Sequence, residues 1–142
     1  MFYGYYEHSL DDKGRLVIPS KMREEAGRIV YIMKGFDGAL AIYKEEAFKN
    51  LVMETQSHPF NKRSSRDYLR IQLSSACDLE VDKQGRVQIP STLLSKYHVG
   101  KDVVVIGVVD HIEVWDKEAY KAYEEKAISE FEENAENLES KE

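Results

Sequence analysis

The stretch DDKGRLVIPS (residues 11–20) occurs a second time in the chain, in the closely similar form DKQGRVQIPS (residues 82–91). Six residues of the first copy recur unchanged, each 71 positions later: Asp11, Gly14, Arg15, Ile18, Pro19 and Ser20 return as Asp82, Gly85, Arg86, Ile89, Pro90 and Ser91. Further on, LAIYKEEAF (40–48) is echoed by IEVWDKEAY (112–120). Extended self-similarity of this kind indicates two related repeats.

The two repeats predict the same order of elements. A strand (2–8 or 77–81) leads into a tight turn, where Gly14 or Gly85 supplies backbone angles that other residues avoid. A second strand (15–18 or 86–89) ends at a proline. Ser20 or Ser91 then caps a short helix (21–26 or 92–97). Two more strands (28–34 and 39–43, or 102–109 and 111–115) precede a closing helix (44–56, or from 117 onward).

These elements predict an α+β fold with four segments. The segments are a first half (1–57), a linker and helix (58–74, with the helix over 66–74), a second half (75–128) and an acidic C-terminal tail (129–142). The tail is poor in apolar residues, which leaves either a solvated helix end or a disordered segment. A half of this size buries little surface alone, so we expect the halves to share one interleaved core.

The formal net charge of −6 is concentrated at the C-terminus. Residues 116–142 hold ten acidic side chains and four lysines, whereas residues 1–115 hold sixteen of each sign. A surface field follows nearby charges, so the total does not exclude a polyanionic partner for the body. The chain has no apolar run long enough to span a bilayer and no signal-peptide pattern, which predicts a cytoplasmic protein without membrane contact.

Candidate catalytic residues are sparse, and we expect neither an enzyme nor a cofactor. The lone Cys77 enters a strand and favours a structural thiol. Asp11 and Asp12 are a poor cation site, because the second repeat has Lys83 in the place of Asp12. No nucleophile elbow, P-loop or dinucleotide fingerprint occurs. The histidines are scattered and lack metal-binding spacing: His8, His58, His98 and His111.

The repeated arginine is the feature that a turn does not explain. Asp and Gly are ordinary hairpin residues, but Arg15 and Arg86 follow the glycine in both repeats. An ion pair with the aspartate four residues earlier contributes only about 0–1 kcal/mol at a surface. Arginine at a rigid turn suits forked donation to phosphate or to a guanine edge. Lys13 and Lys83 lie beside it as phosphate contacts.

The motif Asp-x-x-x-Arg followed by apolar-x-Ile-Pro resembles the swapped-hairpin module of AbrB- and SpoVT-type regulators. Two tandem copies, MF-x-G at the start, and VIGV with IEVW near the end resemble the MraZ family, over residues 1 to about 133. The resemblance implies two interleaved halves about an internal pseudo-twofold and ring-like homo-oligomers. It also implies a nucleoid-associated transcription factor that binds direct repeats in double-stranded promoter DNA, upstream of the division and cell-wall gene cluster.

The same resemblance implies which residues form the DNA face: Asp11, Lys13, Gly14 and Arg15, with Asp82, Lys83, Gly85 and Arg86. Whether the arginines contact bases or phosphates stays open. An alternative function also stays open, that of an antitoxin-like module that binds a protein partner. Proteins of that kind typically carry one hairpin module and a tail, whereas this chain carries two modules. The cluster Lys62, Arg63, Arg66 and Arg70 has two interpretations: a solvated helix face that pairs with acids of a neighbouring subunit, or direct phosphate contacts. The acidic tail either hinders non-specific DNA contact or mediates assembly.

Overall fold

The computed structural model describes residues 1–138, and the last four residues of the predicted tail lie outside that range. The described chain contains eight strands and six helices. In order, these elements are β1 (Phe2–Ser9), β2 (Arg15–Val17), α1 (Ser20–Ala26), β3 (Ile29–Lys34), β4 (Leu40–Lys44), α2 (Glu45–Thr55), α3 (Arg63–Ser74), β5 (Cys77–Glu80), β6 (Arg86–Gln88), α4 (Ser91–Lys96), β7 (Asp102–Val109), β8 (His111–Asp116), α5 (Lys117–Ser129) and α6 (Phe131–Glu136). The predicted α+β class is confirmed.

Strands of the two repeats are interleaved in the main sheet. Its order is β1-β7-β8-β4-β3-β5, and every pairing in it is antiparallel. The first strand of each repeat therefore pairs with the third strand of the other repeat, β1 with β7 and β5 with β3. When each strand is replaced by its counterpart in the other repeat (β1 by β5, β3 by β7, β4 by β8, and the reverse), the same strand order results, counted from the other edge of the sheet. The sheet thus has an internal pseudo-twofold relation between the repeats.

The remaining strands, β2 and β6, form a separate two-stranded ribbon. Arg15 lies opposite Gln88, Leu16 opposite Val87, and Val17 opposite Arg86. Two more backbone bonds extend the ribbon, from Ile18 N to Gly85 O and from Ile89 N to Gly14 O. Because one strand comes from each repeat, neither repeat can form this ribbon alone.

One hydrophobic core lies between the ribbon and one face of the sheet. It contains Leu16 and Val87 of the ribbon together with Val103 and Val105 of β7. Side chains alternate across a strand, so Val104 belongs to the opposite face, where it packs near Trp115 and Tyr120. Helices α2, α3 and α5 lie on that opposite face, where their side chains contact those of the strands. The two repeats therefore share one core, and the ribbon covers the side of that core that faces away from the sheet.

Two local predictions differ from the structure. Ser20 and Ser91 are the first residues of their helices and do not cap them, because Pro19 and Pro90 occupy the N-cap positions. Helix α3 begins at Arg63, three residues before the predicted start, and therefore includes part of the predicted linker. The described part of the tail agrees with the first of its two predicted alternatives, a solvated helix, because it contains a helical segment, α6, whose residues are all solvent-exposed.

The buried face of the ribbon generates a stability prediction. Leu16→Ala removes a side chain that is 1% exposed, and it is expected to lower the free energy of unfolding by about 2–5 kcal/mol. Gln88→Ala, on the exposed face of the same ribbon, is the matched control and is expected to change it by less than about 0.5 kcal/mol. Urea unfolding followed by circular dichroism measures both. Equal effects would contradict the assignment of the two faces.

Candidate functional site

The first turn is built around the carboxylate of Asp11. Its Oδ1 accepts hydrogen bonds from the backbone N–H of Lys13 and of Arg15, each at 2.9 Å. Its Oδ2 accepts from the Nε of Arg15 at 2.5 Å. The backbone closes the turn with Gly14 N donating to Asp11 O and Asp11 N donating to Arg15 O. One carboxylate therefore fixes both the turn and the guanidinium that follows it.

The second turn repeats this arrangement around Asp82. Its Oδ1 accepts from the backbone N–H of Gln84 and of Arg86, and its Oδ2 accepts from Arg86 Nε at 2.8 Å. The Arg86 guanidinium has an additional partner, since its Nη2 donates to Gln84 Oε1 at 2.8 Å. The first turn has Lys13 in the place of Gln84. The two turns thus share a frame but differ in one side chain beside the arginine.

Both turns require glycine at their last position. Gly14 and Gly85 have φ angles of 75° and 76°, in the left-handed region that side chains with a Cβ rarely adopt. A Cβ on Gly14 would lie 3.0 Å from the carbonyl oxygen of Ile89. A Cβ on Gly85 would collide with the Arg23 guanidinium. The glycines therefore permit the turn and the close packing of the opposite strand or helix against it.

The ribbon brings the two arginines onto one face. Directly opposed residues of an antiparallel pair share a face, and residues two apart on one strand share it as well. Arg15, opposite Gln88, thus lies on the same face as Arg86, opposite Val17. Leu16 and Val87 occupy the other, buried face. The register separates the arginines by two residues, roughly 7 Å along the strands. They are partly exposed, with 30% and 26% of their side chains accessible.

The turn aspartates are held in the charged form. Backbone and side-chain hydrogen bonds from Arg15, with the backbone N–H of Lys13, outweigh desolvation and lower the pKa of Asp11 from 3.8 to about 2. The equivalent bonds from Arg86 lower the pKa of Asp82. Each carboxylate is therefore ionised at neutral pH, and both of its oxygens already accept hydrogen bonds from its own turn. This places the two aspartates as supports for the arginines.

A third basic side chain lies at the second turn, and sequence reasoning missed it. Arg23 of α1 donates from its Nε to Ile18 O at 2.8 Å and packs over Gly85. The equivalent position in the second repeat is Leu94, which packs near Gly14. Comparison of the two repeats does not reveal Arg23, because the second repeat has no arginine at the equivalent position. Only the pairing of β2 with β6 brings α1 of the first repeat next to the turn of the second.

The other residues considered for chemistry do not converge on this site. Within residues 1–138 no group of three His, Cys, Asp or Glu side chains is arranged to hold a metal ion, and no helix is long and apolar enough to cross a membrane. His111 lies on β8 between Asp110 and Glu113, and these carboxylates raise its pKa against the opposing effect of burial. Cys77 is half-buried at the start of β5.

Comparison with known proteins gives a consistent result over nearly the whole chain. The family model of the MraZ protein, described as antitoxin-like, matches twice, at residues 1–71 and 73–141. A protein of Caldanaerobacter subterraneus subsp. tengcongensis named transcriptional regulator MraZ is 41% identical over 140 residues, which is 99% of this chain and 98% of that protein. A protein of the same name from Acetivibrio thermocellus is 44% identical over 123 residues, covering 87% and 86%.

The lowered pKa of Asp11 generates a pH prediction. Stabilisation from a depressed pKa is present above the unfolded value and is lost as pH falls through the folded value. Asp11→Asn is therefore expected to lower the urea midpoint at pH 6, and the gap from the wild type should shrink between about pH 4 and pH 2. Asp12→Asn, at the exposed neighbouring residue, controls for the loss of one negative charge. A gap that persists undiminished at pH 2 would rule out the carboxylate charge as its cause.

Proposed function

The chain belongs to the MraZ family, and from that premise we propose that it is a transcriptional regulator that binds double-stranded DNA with the outer face of the β2–β6 ribbon. Relatives of nearly equal length are named transcriptional regulator, which supports the general function. The observation that carries the assignment to the ribbon is the placement of Arg15 and Arg86 on one exposed face.

The dimensions of the ribbon suit the major groove. That groove is about 12 Å wide and admits a two-stranded β-ribbon. Arginine has five N–H donors, and each turn aspartate takes the Nε edge, which leaves the terminal nitrogens of Arg15 for a ligand. A fixed guanidinium loses less side-chain freedom on binding than a mobile one. We propose that both arginines donate to base edges or phosphates at the floor or wall of the groove.

The remaining predicted residues take supporting roles in this proposal. Asp11 and Asp82 position the arginines, because a carboxylate in direct contact with phosphate would be repelled. Gly14 and Gly85 allow the turns. Lys13 and Lys83, which are exposed and occupy different turn positions, supply phosphate contacts. Because Gln84 holds a terminal nitrogen of Arg86, we propose that Arg15 is the more available of the two arginines.

One ribbon of two three-residue strands offers little contact area for firm DNA binding. We therefore propose that the protein acts as a homo-oligomer, arranged as a ring, that presents several ribbons to direct repeats in a promoter. The family resemblance points to the promoter of the division and cell-wall gene cluster, in the cytoplasm and at the nucleoid. The excess of negative charge lies in 116–142, outside the ribbon, so the net charge does not oppose this placement.

One observation favours a second function. The description of the matching family model calls it antitoxin-like, which fits a module that binds a small protein partner. Both functions are compatible with the same hairpins, and they differ in what the ribbon face contacts. Co-purification of a small protein that is displaced by Arg15→Ala would favour the antitoxin-like function over DNA binding.

The DNA proposal predicts a large effect of removing both arginines. Wild type is expected to bind its own upstream DNA more tightly than a scrambled duplex, with a steep dependence on salt concentration. Arg15→Ala/Arg86→Ala is expected to weaken specific binding by at least about tenfold, since each forked contact to a base contributes about 1–3 kcal/mol. Fluorescence anisotropy at several salt concentrations measures both the affinity and the salt slope.

The matched control for this variant is Lys49→Ala/Lys121→Ala. It removes the same charge from α2 and α5, the helices on the opposite face of the sheet, and is expected to leave specific binding within about threefold of wild type. Equal losses in the two variants would mean that the arginines act through net charge alone and would contradict the ribbon assignment.

A conservative substitution separates base contacts from phosphate contacts. Arg15→Lys keeps the charge but loses the planar fork. If Arg15 contacts a base, the variant is expected to keep the salt slope while its preference for the specific duplex falls by about fivefold or more. An unchanged preference would assign Arg15 to the phosphate backbone. The same anisotropy titrations, performed with specific and scrambled duplexes, provide the readout.

A further inference from the structure

Helix α3 carries an exposed surface that the proposed DNA face does not use. Gln72 is its one buried residue, although the helix is amphipathic. Its apolar side chains Leu69 and Leu73 border an open groove of about 790 Å³ between the end of α2 and α3, which also includes Phe60. Phe60 is 57% exposed and Leu73 42%. Contiguous exposed apolar surface of this kind marks an interaction site.

The rim of this α2–α3 groove is basic. Arg70 lines the groove, and Lys62, Arg63 and Arg66 belong to the same segment, in which Arg63 pairs with Asp67 at 3.7 Å. Arg66 donates to the Phe60 carbonyl at 3.3 Å, and the Arg70 guanidinium lies over the Phe60 ring at 5.5 Å. The positive charge is thus placed directly beside the apolar floor. A partner that fits the groove combines apolar side chains with carboxylates.

The chain carries a segment with those properties at its other end. The acidic arm, defined here as residues 124–138, comprises the end of α5 and α6 and contains six glutamates and one lysine. Its large apolar residues are Ile128, Phe131 and Leu138, which are 67%, 71% and 80% exposed. Apolar side chains on a charged helical segment, left in solvent, are typical of a helix that docks in a groove.

We infer that the acidic arm of one copy of this chain docks into the α2–α3 groove of a second copy. The two surfaces are complementary in both properties, because the groove has Arg66 and Arg70 beside its apolar floor and the arm has glutamates around its apolar side chains. Within one chain the groove and the arm are both exposed, so the arm does not occupy its own groove.

The contact is heterologous, since different surfaces of the two copies meet. Such a contact leaves a free groove at one end and a free arm at the other, and it repeats until a ring closes or a filament extends. This inference rests on the proposed function and deepens it, because it identifies the surfaces by which copies would bring several ribbons to one DNA duplex. It assigns the basic cluster of α3 to assembly and not to phosphate.

A charge-swap experiment on the full chain tests the contact. Arg66→Glu/Arg70→Glu at the groove and Glu132→Arg/Glu133→Arg in the arm are each expected to weaken self-association by at least tenfold, because like charges then face each other. The chain that carries all four substitutions is expected to recover most of the loss. Sedimentation equilibrium at several protein concentrations gives the association constants, and circular dichroism verifies that each variant is folded.

The matched control for the groove reversal is Lys49→Glu/Lys121→Glu, which makes the same change in net charge outside the groove and the arm and is expected to associate like wild type. The inference is overturned if wild type is monomeric or if neither reversal changes the association constant. It is also overturned if the chain with all four substitutions does not regain self-association. It is also overturned if the groove reversal weakens DNA binding with no change in mass, since the groove would then contact phosphate.

A crosslinking experiment distinguishes two copies from one. Leu73→Cys and Phe131→Cys are made separately in a Cys77→Ser background, and the two chains are mixed at equal concentration under mild oxidation. A covalent dimer that contains one of each chain is the expected product, and its absence would overturn the inference. The crosslinking reaction contains no DNA, so it tests the contact between copies separately from the proposed function. If the copies assemble but do not bind specific DNA, only the proposed function is contradicted.

Discussion

The structure depends on the pairing of β2 with β6, which joins the two repeats around Leu16 and Val87. Each of these strands has only three residues and has no partner within its own repeat. An isolated strand with an apolar face leaves both its backbone groups and that face unsatisfied. Pairing across the repeats resolves both problems at once and closes the core against the main sheet. The same pairing places Arg15 and Arg86 together, so the fold and the candidate site have one origin.

The turns that flank the ribbon convert this pairing into a precise surface. In each turn one ionised aspartate holds two backbone N–H groups and one guanidinium, and glycine provides the backbone angle. Such side-chain-to-backbone bonds are local and do not depend on distant packing. The arginine is thereby fixed by the residue four positions earlier. Each repeat supplies a complete turn but only one of the two strands of the ribbon. The motif must therefore occur twice for the ribbon to form with a turn at each end.

Sequence reasoning found the repeat, the turns and the arginines because those features are local or periodic. It expected one shared core from size alone, and the strand order shows how the sharing is achieved. It missed Arg23, since this residue reaches the second turn only through the exchange of strands between repeats. It also placed Ser20 and Ser91 as caps, although a preceding proline in extended conformation already occupies that position. The likeness of the hairpins to the AbrB-type module stays a prediction.

The central claim is that the outer face of the β2–β6 ribbon contacts DNA. A crystal structure of the protein bound to a duplex from its own upstream region would show this contact directly. We expect the ribbon to lie in the major groove, with the terminal nitrogens of Arg15 within about 3 Å of a base edge or a phosphate oxygen and Asp11 still bonded to Arg15 Nε. A duplex that lies against α3 or any other surface, with the ribbon free in solvent, would contradict it.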